Sequence, residues 1–161
     1  MEAESMEAET GFAWEDRYLL GYAAMDDTHR EFVDLVNALL TVGDAGLSVA
    51  LTAFATHLEA HFAEENGWMD STDFPPRDCH KDEHAKVLAS VHEVQQQLAE
   101  GDVAIVRALA EALQDWFPNH ADYMDSALST WMVKRSHAGR PLVFRRDGGK
   151  SKESAGFDLP A

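Results

Sequence analysis

The sequence predicts an all-α protein: an antiparallel up-down-up-down four-helix bundle, entered through an N-terminal loop and followed by a flexible C-terminal extension. Three observations carry this expectation. Four segments place apolar residues at alternating steps of three and four, the period of one helix face. The connections between them, "GDAG", "STDFPPR" and "EGD", are short enough to make successive helices antiparallel neighbours. No segment alternates like a half-buried strand, the one strand-like run being "PLVF" at 141–144 in the tail.

The first helix is expected over about residues 26–42, with Phe32, Val33, Val36, Leu39 and Leu40 on one side. The second covers about 46–70 and aligns Leu47, Leu51, Phe54 and Leu58, continued by His61, Glu65 and Trp68. The third starts near residue 78, lines up His80, His84, Val87, Val91, Val94 and Leu98, and ends at Gly101. The fourth opens on Asp102, a suitable N-cap, and carries Val106, Leu109, Leu113, Trp116 and His120.

A chain of 161 residues is long enough for one well-buried core, and 45% hydrophobic residues are too many for disorder. No apolar run reaches membrane-spanning length. The net charge of −16 argues against a nucleic-acid partner, because phosphate contacts need clustered Lys and Arg. That charge is uneven: residues 1–133 hold 6 basic and 26 acidic side chains, giving −20, whereas 134–161 hold 7 and 3, giving +4. Helical periodicity stops in the same region and Gly and Ser gather in "DGGKSKESAG", so 1–133 reads as the domain and 134–161 as a basic, mostly flexible tail. The acidic start "MEAESMEAET" lacks the apolar core of a secretory signal, and the single Cys79 cannot form an internal disulfide; both agree with a cytoplasmic protein.

Polar residues with ligand chemistry interrupt every apolar stripe. His61 and Glu65 continue the row begun by Leu47, His80 and His84 lead the third stripe, His120 closes the fourth, and His29 precedes Phe32 on the first. Burying an unpaired carboxylate costs several kcal/mol, roughly, even after relaxation. Only six basic residues precede Lys134, and none is an evident partner for Glu65. A buried His–Glu hydrogen-bond network is the alternative for any one of these residues. For six residues converging from four helices at His-x-x-x-Glu and His-x-x-x-His spacings, metal is the better account. The absence of a thiolate pair removes zinc-ribbon and iron–sulfur readings, and imidazole with carboxylate suits iron, manganese, zinc or copper. Asp125, five residues after His120 in "NHADYMD", supplies a seventh donor. A spacing of five leaves the face of an ideal helix, and the expectation is that Pro118 kinks the chain enough to relax that rule. Seven donors exceed one tetrahedral zinc and match two carboxylate-bridged ions.

Over about residues 11–133 the chain resembles the bacterial haemerythrins, in "FAW", "YLLGYAAMDDTH", "HFAEENGWM", "CHKDEH" and "WFPNHADYMD". The family's order of a lone His, His-x-x-x-Glu, His-x-x-x-His and His-x-x-x-x-Asp is filled here by His29, His61 and Glu65, His80 and His84, His120 and Asp125. The resemblance implies two non-haem iron ions, one on His80, His84 and His120 and the other on His29 and His61, bridged by Glu65, Asp125 and an oxo or hydroxo group. It implies reversible dioxygen binding for storage or delivery at an open position on the second iron, a place that also admits small anions when the pair is oxidised. It puts Phe117, beside Trp116, in the oxygen pocket. Three residues depart from the family's habit: Phe117 stands where leucine is usual, His57 where tyrosine is common one turn before His61, and Pro118 interrupts the turn before His120. Phe117 and His57 keep a second reading open, a di-iron enzyme consuming peroxide or nitric oxide, and a third is an oxygen or iron sensor that would act through the tail. His92 and His137 are expected to be solvated, Cys79 to point off the donor stripe, and "GRPLVFRR" is a candidate docking peptide for a protein partner.

Overall fold

The computed structural model describes residues 11–136. Five helices follow a short entry segment: α1 (Ala23–Thr41), α2 (Leu47–Ser71), α3 (Arg77–Ala99), α4 (Ala104–His120) and α5 (Ser126–Ser136). A π-turn, Ala121–Asp125, joins α4 to α5 with helical backbone on both sides, so these two form one long fourth arm. Each arm packs on the next and the fourth returns against the first, closing the four-helix bundle. Among the described residues there is no strand. The "PLVF" run, His137 and the rest of the tail lie outside the described residues.

Each helix end has a local cause. α1 begins three residues before Asp26, because the buried Asp26 carboxylate turns back to accept the Leu20 and Gly21 N–H groups at 2.8 and 3.0 Å. α3 stops where Gly101 takes a φ of +101°, a left-handed conformation that glycine adopts without steric cost. The Asp102 carboxylate then accepts the Ile105 N–H at 3.1 Å, the capping contact expected of it. Between α2 and α3 the Phe74 N–H bonds the Met69 carbonyl at 2.9 Å, which turns the Phe74 ring inward against Trp131 of α5. Arg107 of α4 holds the α1–α2 connection, donating to the Leu39 carbonyl at 3.0 Å and to Asp44 at 2.8 Å.

The core divides into two apolar clusters. The larger contains Phe32, Phe54, Leu58, Phe62, Leu109, Leu113 and Phe117; the smaller contains Met25, Met69, Phe74 and Leu128. His29 falls between Met25 and Phe32 on α1, Glu65 between Phe62 and Met69 on α2, and Asp125 between Ala121 and Leu128 on the fourth arm. A polar layer therefore lies between the two clusters. The entry segment covers one side of it: the Phe12 N–H bonds the Asn37 side chain at 2.9 Å, and the Phe12 and Tyr18 rings stand edge-on to Phe117 at 6.0 and 5.3 Å.

Candidate metal centre

All seven donor residues lie in this layer, and none is more than 4% exposed. One helical turn separates His61 from Glu65 and His80 from His84, so each pair points the same way. His120 and Asp125 are joined differently from the sequence expectation. Pro118 sits inside α4 without ending it, and the π-turn accommodates the spacing of five. A π-turn closes i→i+5 hydrogen bonds, which bring a residue five places on over the first.

The carboxylates divide their oxygens between two sets of imidazoles. Asp125 Oδ1 lies 3.0 Å from His80 Nε2 and 3.2 Å from His120 Nε2, while Oδ2 lies 3.1 Å from His29 Nε2. Glu65 Oε1 lies 3.2 Å from His84 Nε2 and 3.9 Å from His80 Nε2, while Oε2 lies 3.0 Å from His61 Nε2 and 3.4 Å from His29 Nε2. Two groups of potential ligands result, Glu65–His80–His84–His120–Asp125 and His29–His61–Glu65, with the donor atoms of each group all within 4.8 Å of one another. A first-row ion holds ligands at about 2.1 Å, which sets adjacent donors about 3 Å apart. The observed separations fit.

Hydrogen bonding leaves the layer unfinished. Nε2 of His29, His80, His84 and His120, with Glu65 Oε1 and Asp125 Oδ1, is buried and has no hydrogen-bond partner among the described residues. A protein interior rarely tolerates six such atoms converging on one place. Electrostatics points the same way. Burial pushes the Glu65 carboxyl up and Asp125 adds to this, yet His61 and His29 outweigh both and hold it well below the usual carboxylate range. Asp125 is likewise pushed up by burial and drawn well below that range by His120, His29 and His80. Burial opposes a charge on His29, but Asp125 and Glu65 lift its pKa to about 10. Burial keeps His84 neutral, down to about 4. The two carboxylates thus demand positive charge between them, and an imidazolium supplies it only by giving up a ligand nitrogen. Cations satisfy the whole set.

Neighbouring rings fix the imidazoles. Phe62 stacks on His84 at 3.9 Å and 6°, and Trp116 stacks on His120 at 4.3 Å and 23°. Phe117 meets His29 edge-on and stacks on Phe32 at 5.1 Å. Two further residues escape sequence reasoning. His84 Nδ1 stands 2.8 Å from Asn66 Oδ1, and the buried Glu83 accepts the Trp116 indole N–H at 2.7 Å. Asn66 directly follows Glu65, and Glu83 lies one helical step from His80; these positions are the only sequence signals for them. His57 is half-buried with its ring 5.2 Å from that of His61, and its nearest carboxylate is Glu31 at 3.4 Å, not a carboxylate of the layer. His92 is exposed and bonded to Glu59 at 2.8 Å, and Cys79 is exposed. No described helix is long and apolar enough to cross a membrane.

Comparison with known proteins gives this arrangement a lineage. The family model "Hemerythrin HHE cation binding domain" matches residues 20–132. A "Bacteriohemerythrin" of Ralstonia nicotianae is 44% identical over 127 residues, 79% of this chain and 93% of that protein. A hemerythrin of Sipunculus nudus is 29% identical over 117 residues, 71% of this chain and 87% of that protein. The family match runs through all four arms and the whole polar layer, and the chain belongs to the haemerythrin family.

Proposed function

We propose that the polar layer holds two iron ions and binds dioxygen reversibly, for storage or delivery. The observation that carries this reading is the division of Glu65 and Asp125, each with one oxygen toward His80, His84 and His120 and the other toward His29 and His61. A carboxylate so divided serves two cations, and a single ion would leave half of these oxygens without a charge to meet. His80, His84 and His120 would hold one ion and His29 and His61 the other, with Glu65 and Asp125 shared between them, so the ion with two imidazoles would keep room for a further ligand. A pair of irons held there would supply one electron each to bound dioxygen, and in the oxidised state the same place would admit a small anion by simple ligation.

The side chains around it hold and exclude. Asn66 fixes the tautomer and rotation of His84 through its Nδ1. Trp116 pins His120 by stacking, and its N–H is anchored on Glu83. Phe117 and Phe32 form the wall beside His29, backed by Phe12 and Tyr18. Phenylalanine has no proton to give, so this wall keeps water and acid from the open place and favours release over turnover. The domain is taken as 1–133 with a basic tail beyond it, and α5 continues to Ser136. The lone exposed Cys79 fits a reducing cytoplasm.

Metal analysis combined with absorption spectra taken anaerobically and then in air tests the proposal. The expected result is two irons per chain and a band that appears in air and vanishes under argon through repeated cycles. A well-folded protein carrying one zinc and no iron overturns the metal assignment. A band that bleaches within one cycle overturns the carrier reading in favour of a peroxide- or nitric-oxide-consuming site. His80→Ala or His84→Ala should lose most of the metal and destabilise the fold, because buried carboxylates then lack their cation.

A further inference from the structure

None of the seven donor residues is more than 4% exposed, and an ion bound among them must still come from water. His80 borders open space. Beside the start of α3, a cavity of about 300 Å³ is lined in part by Pro76, Cys79, His80, Tyr123, Met124 and Ala127. Pro76, Cys79, Tyr123 and Ala127 are exposed, so the cavity opens to solvent, whereas His80 is 2% exposed and lies at its inner end. None of the other six donor residues lines it, so the cavity meets His80 from behind, on the side away from the carboxylates.

His80 is also the least restrained of its three imidazoles. Phe62 stacks on His84, whose Nδ1 meets Asn66, and Trp116 stacks on His120. Among the described residues no ring lies flat on His80, which meets His84 and His120 edge-on. Beyond its contacts with Glu65 and Asp125, neither of its ring nitrogens has a hydrogen-bond partner among those residues. Met124 beside it is half-buried, and an unbranched thioether side chain repacks at low cost. At the mouth, Asp78 and Asp122 are exposed, adjoin Cys79 and Tyr123 in sequence, and have no ion pair among the described residues. The neighbouring cations Arg77 and Lys81 are already taken by Asp70 and Asp73. Carboxylates left unpaired at the mouth of a cavity raise the local concentration of cations. A divalent ion with six waters needs about 180 Å³ at about 30 Å³ per water, so the cavity admits it hydrated.

We propose that this cavity is the passage by which divalent metal ions enter and leave the polar layer, with His80 as the residue that hands them between solvent and the carboxylates. The inference rests on the reading that the layer holds metal and adds the route. On release the His80 ring turns into the cavity, water takes its place on the ion, and Asp78 and Asp122 meet the ion as it hydrates. Entry is the reverse.

Iron loss from the folded, metal-loaded, full-length protein tests the route. Loss to a ferrous chelator is followed by absorbance under anaerobic, reducing conditions, with the urea midpoint measured on the same samples. Ala127→Phe places a ring in the cavity from an exposed position, and maleimide alkylation of Cys79, the only cysteine, places a bulky group there without a substitution. Each should slow iron loss by about fivefold or more, because a passing ion must then displace packed atoms, while the urea midpoint stays at the parental value. Equal loss rates for parent, variant and adduct overturn the proposal. So do rates that follow the urea midpoint, which assign release to opening of the whole bundle. The iron count before chelator is added separates the two readings: two irons with unchanged loss rates sink the route alone, and a protein that holds no metal sinks both.

Discussion

The edge of the Phe117 ring meets the face of His29: the centroids are 5.2 Å apart and the planes cross at 89°. This contact lies on the two-imidazole side of the layer, where the proposed function leaves a place open. Phe117 is fully packed, so its truncation removes both a wall and about 3–5 kcal/mol of stability. Phe117→Ala should therefore keep its iron at low temperature but lose the air-dependent band faster than the parent. Stopped-flow decay in air, with urea unfolding as the stability measure, checks both halves. Unchanged decay would mean that Phe117 does not guard the site.

Asn66 stands behind His84, and its amide oxygen is the partner of the imidazole nitrogen that faces away from the carboxylates. Such outer partners typically govern metal retention by about 10–100-fold. Asn66→Ala should speed metal loss to a chelator by a factor in this range, while Asn66→Asp, which keeps an acceptor, should approach parental retention. Chelator competition followed by absorbance gives the comparison.

Glu83 separates charge from hydrogen bonding in a way that mutation can read. Its Oε2 accepts the Trp116 N–H at 2.7 Å, and Gln offers an acceptor at the same place without the charge. Glu83→Ala should cost about 1–3 kcal/mol by removing the acceptor from a buried donor. Glu83→Gln should cost clearly less. Denaturant midpoints of the three proteins decide it, and equal losses for Gln and Ala would show that charge, not the indole contact, is what Glu83 contributes.

Burial, aided by His61 and His29, pushes His57 down from its ordinary 6.5 to about 4. Between these values the unfolded ring takes up a proton and the folded ring does not, so protonation favours unfolding. The contribution is fully present above about pH 6.5 and is lost as pH falls toward 4, by an amount on the order of 3 kcal/mol. His57→Gln, which cannot titrate, should flatten the stability curve across that window. Urea titrations at several pH values from 7 to 4 would reveal an unaltered slope if His57 is not the group responsible.

Much of this arrangement was legible because it is periodic. The apolar stripes that make the four arms also carry His29, His61, Glu65, His80, His84 and His120, so reading one reads the other. The N-cap at Asp102 and the stop at Gly101 announce themselves by residue type. Asp125 is different, since five residues separate it from His120 and an ideal helix would turn the two apart; their sharing one layer depends on a π-turn that residue spacing alone does not encode. The proline expected to bend the chain instead lies within a continuous helix. Asn66 and Glu83 were hidden for another reason. Each is a single polar residue at the margin of a face, and only the packing of a neighbouring arm gives it His84 or Trp116 to hold. His57 shows the converse: it shares the edge of the right face, yet its carboxylate neighbour is Glu31 on the outer surface of α1.

The widened turn at Ala121–Asp125 also bears on how such a chain tolerates changes in length. A residue inserted into a regular helix rotates everything after it by about 100° and would swing a buried stripe toward water. A π-turn absorbs the extra residue within itself, and the helices on either side keep their facing, as Leu113 and Leu128 do in their separate clusters. Of the four arms, the last is therefore the one that carries one residue more than a regular helix without turning its buried stripe toward water. In α2 or α3, whose donors are spaced by four on unbroken helix, one added residue would separate histidine from its partner and turn the rest of the arm out of register.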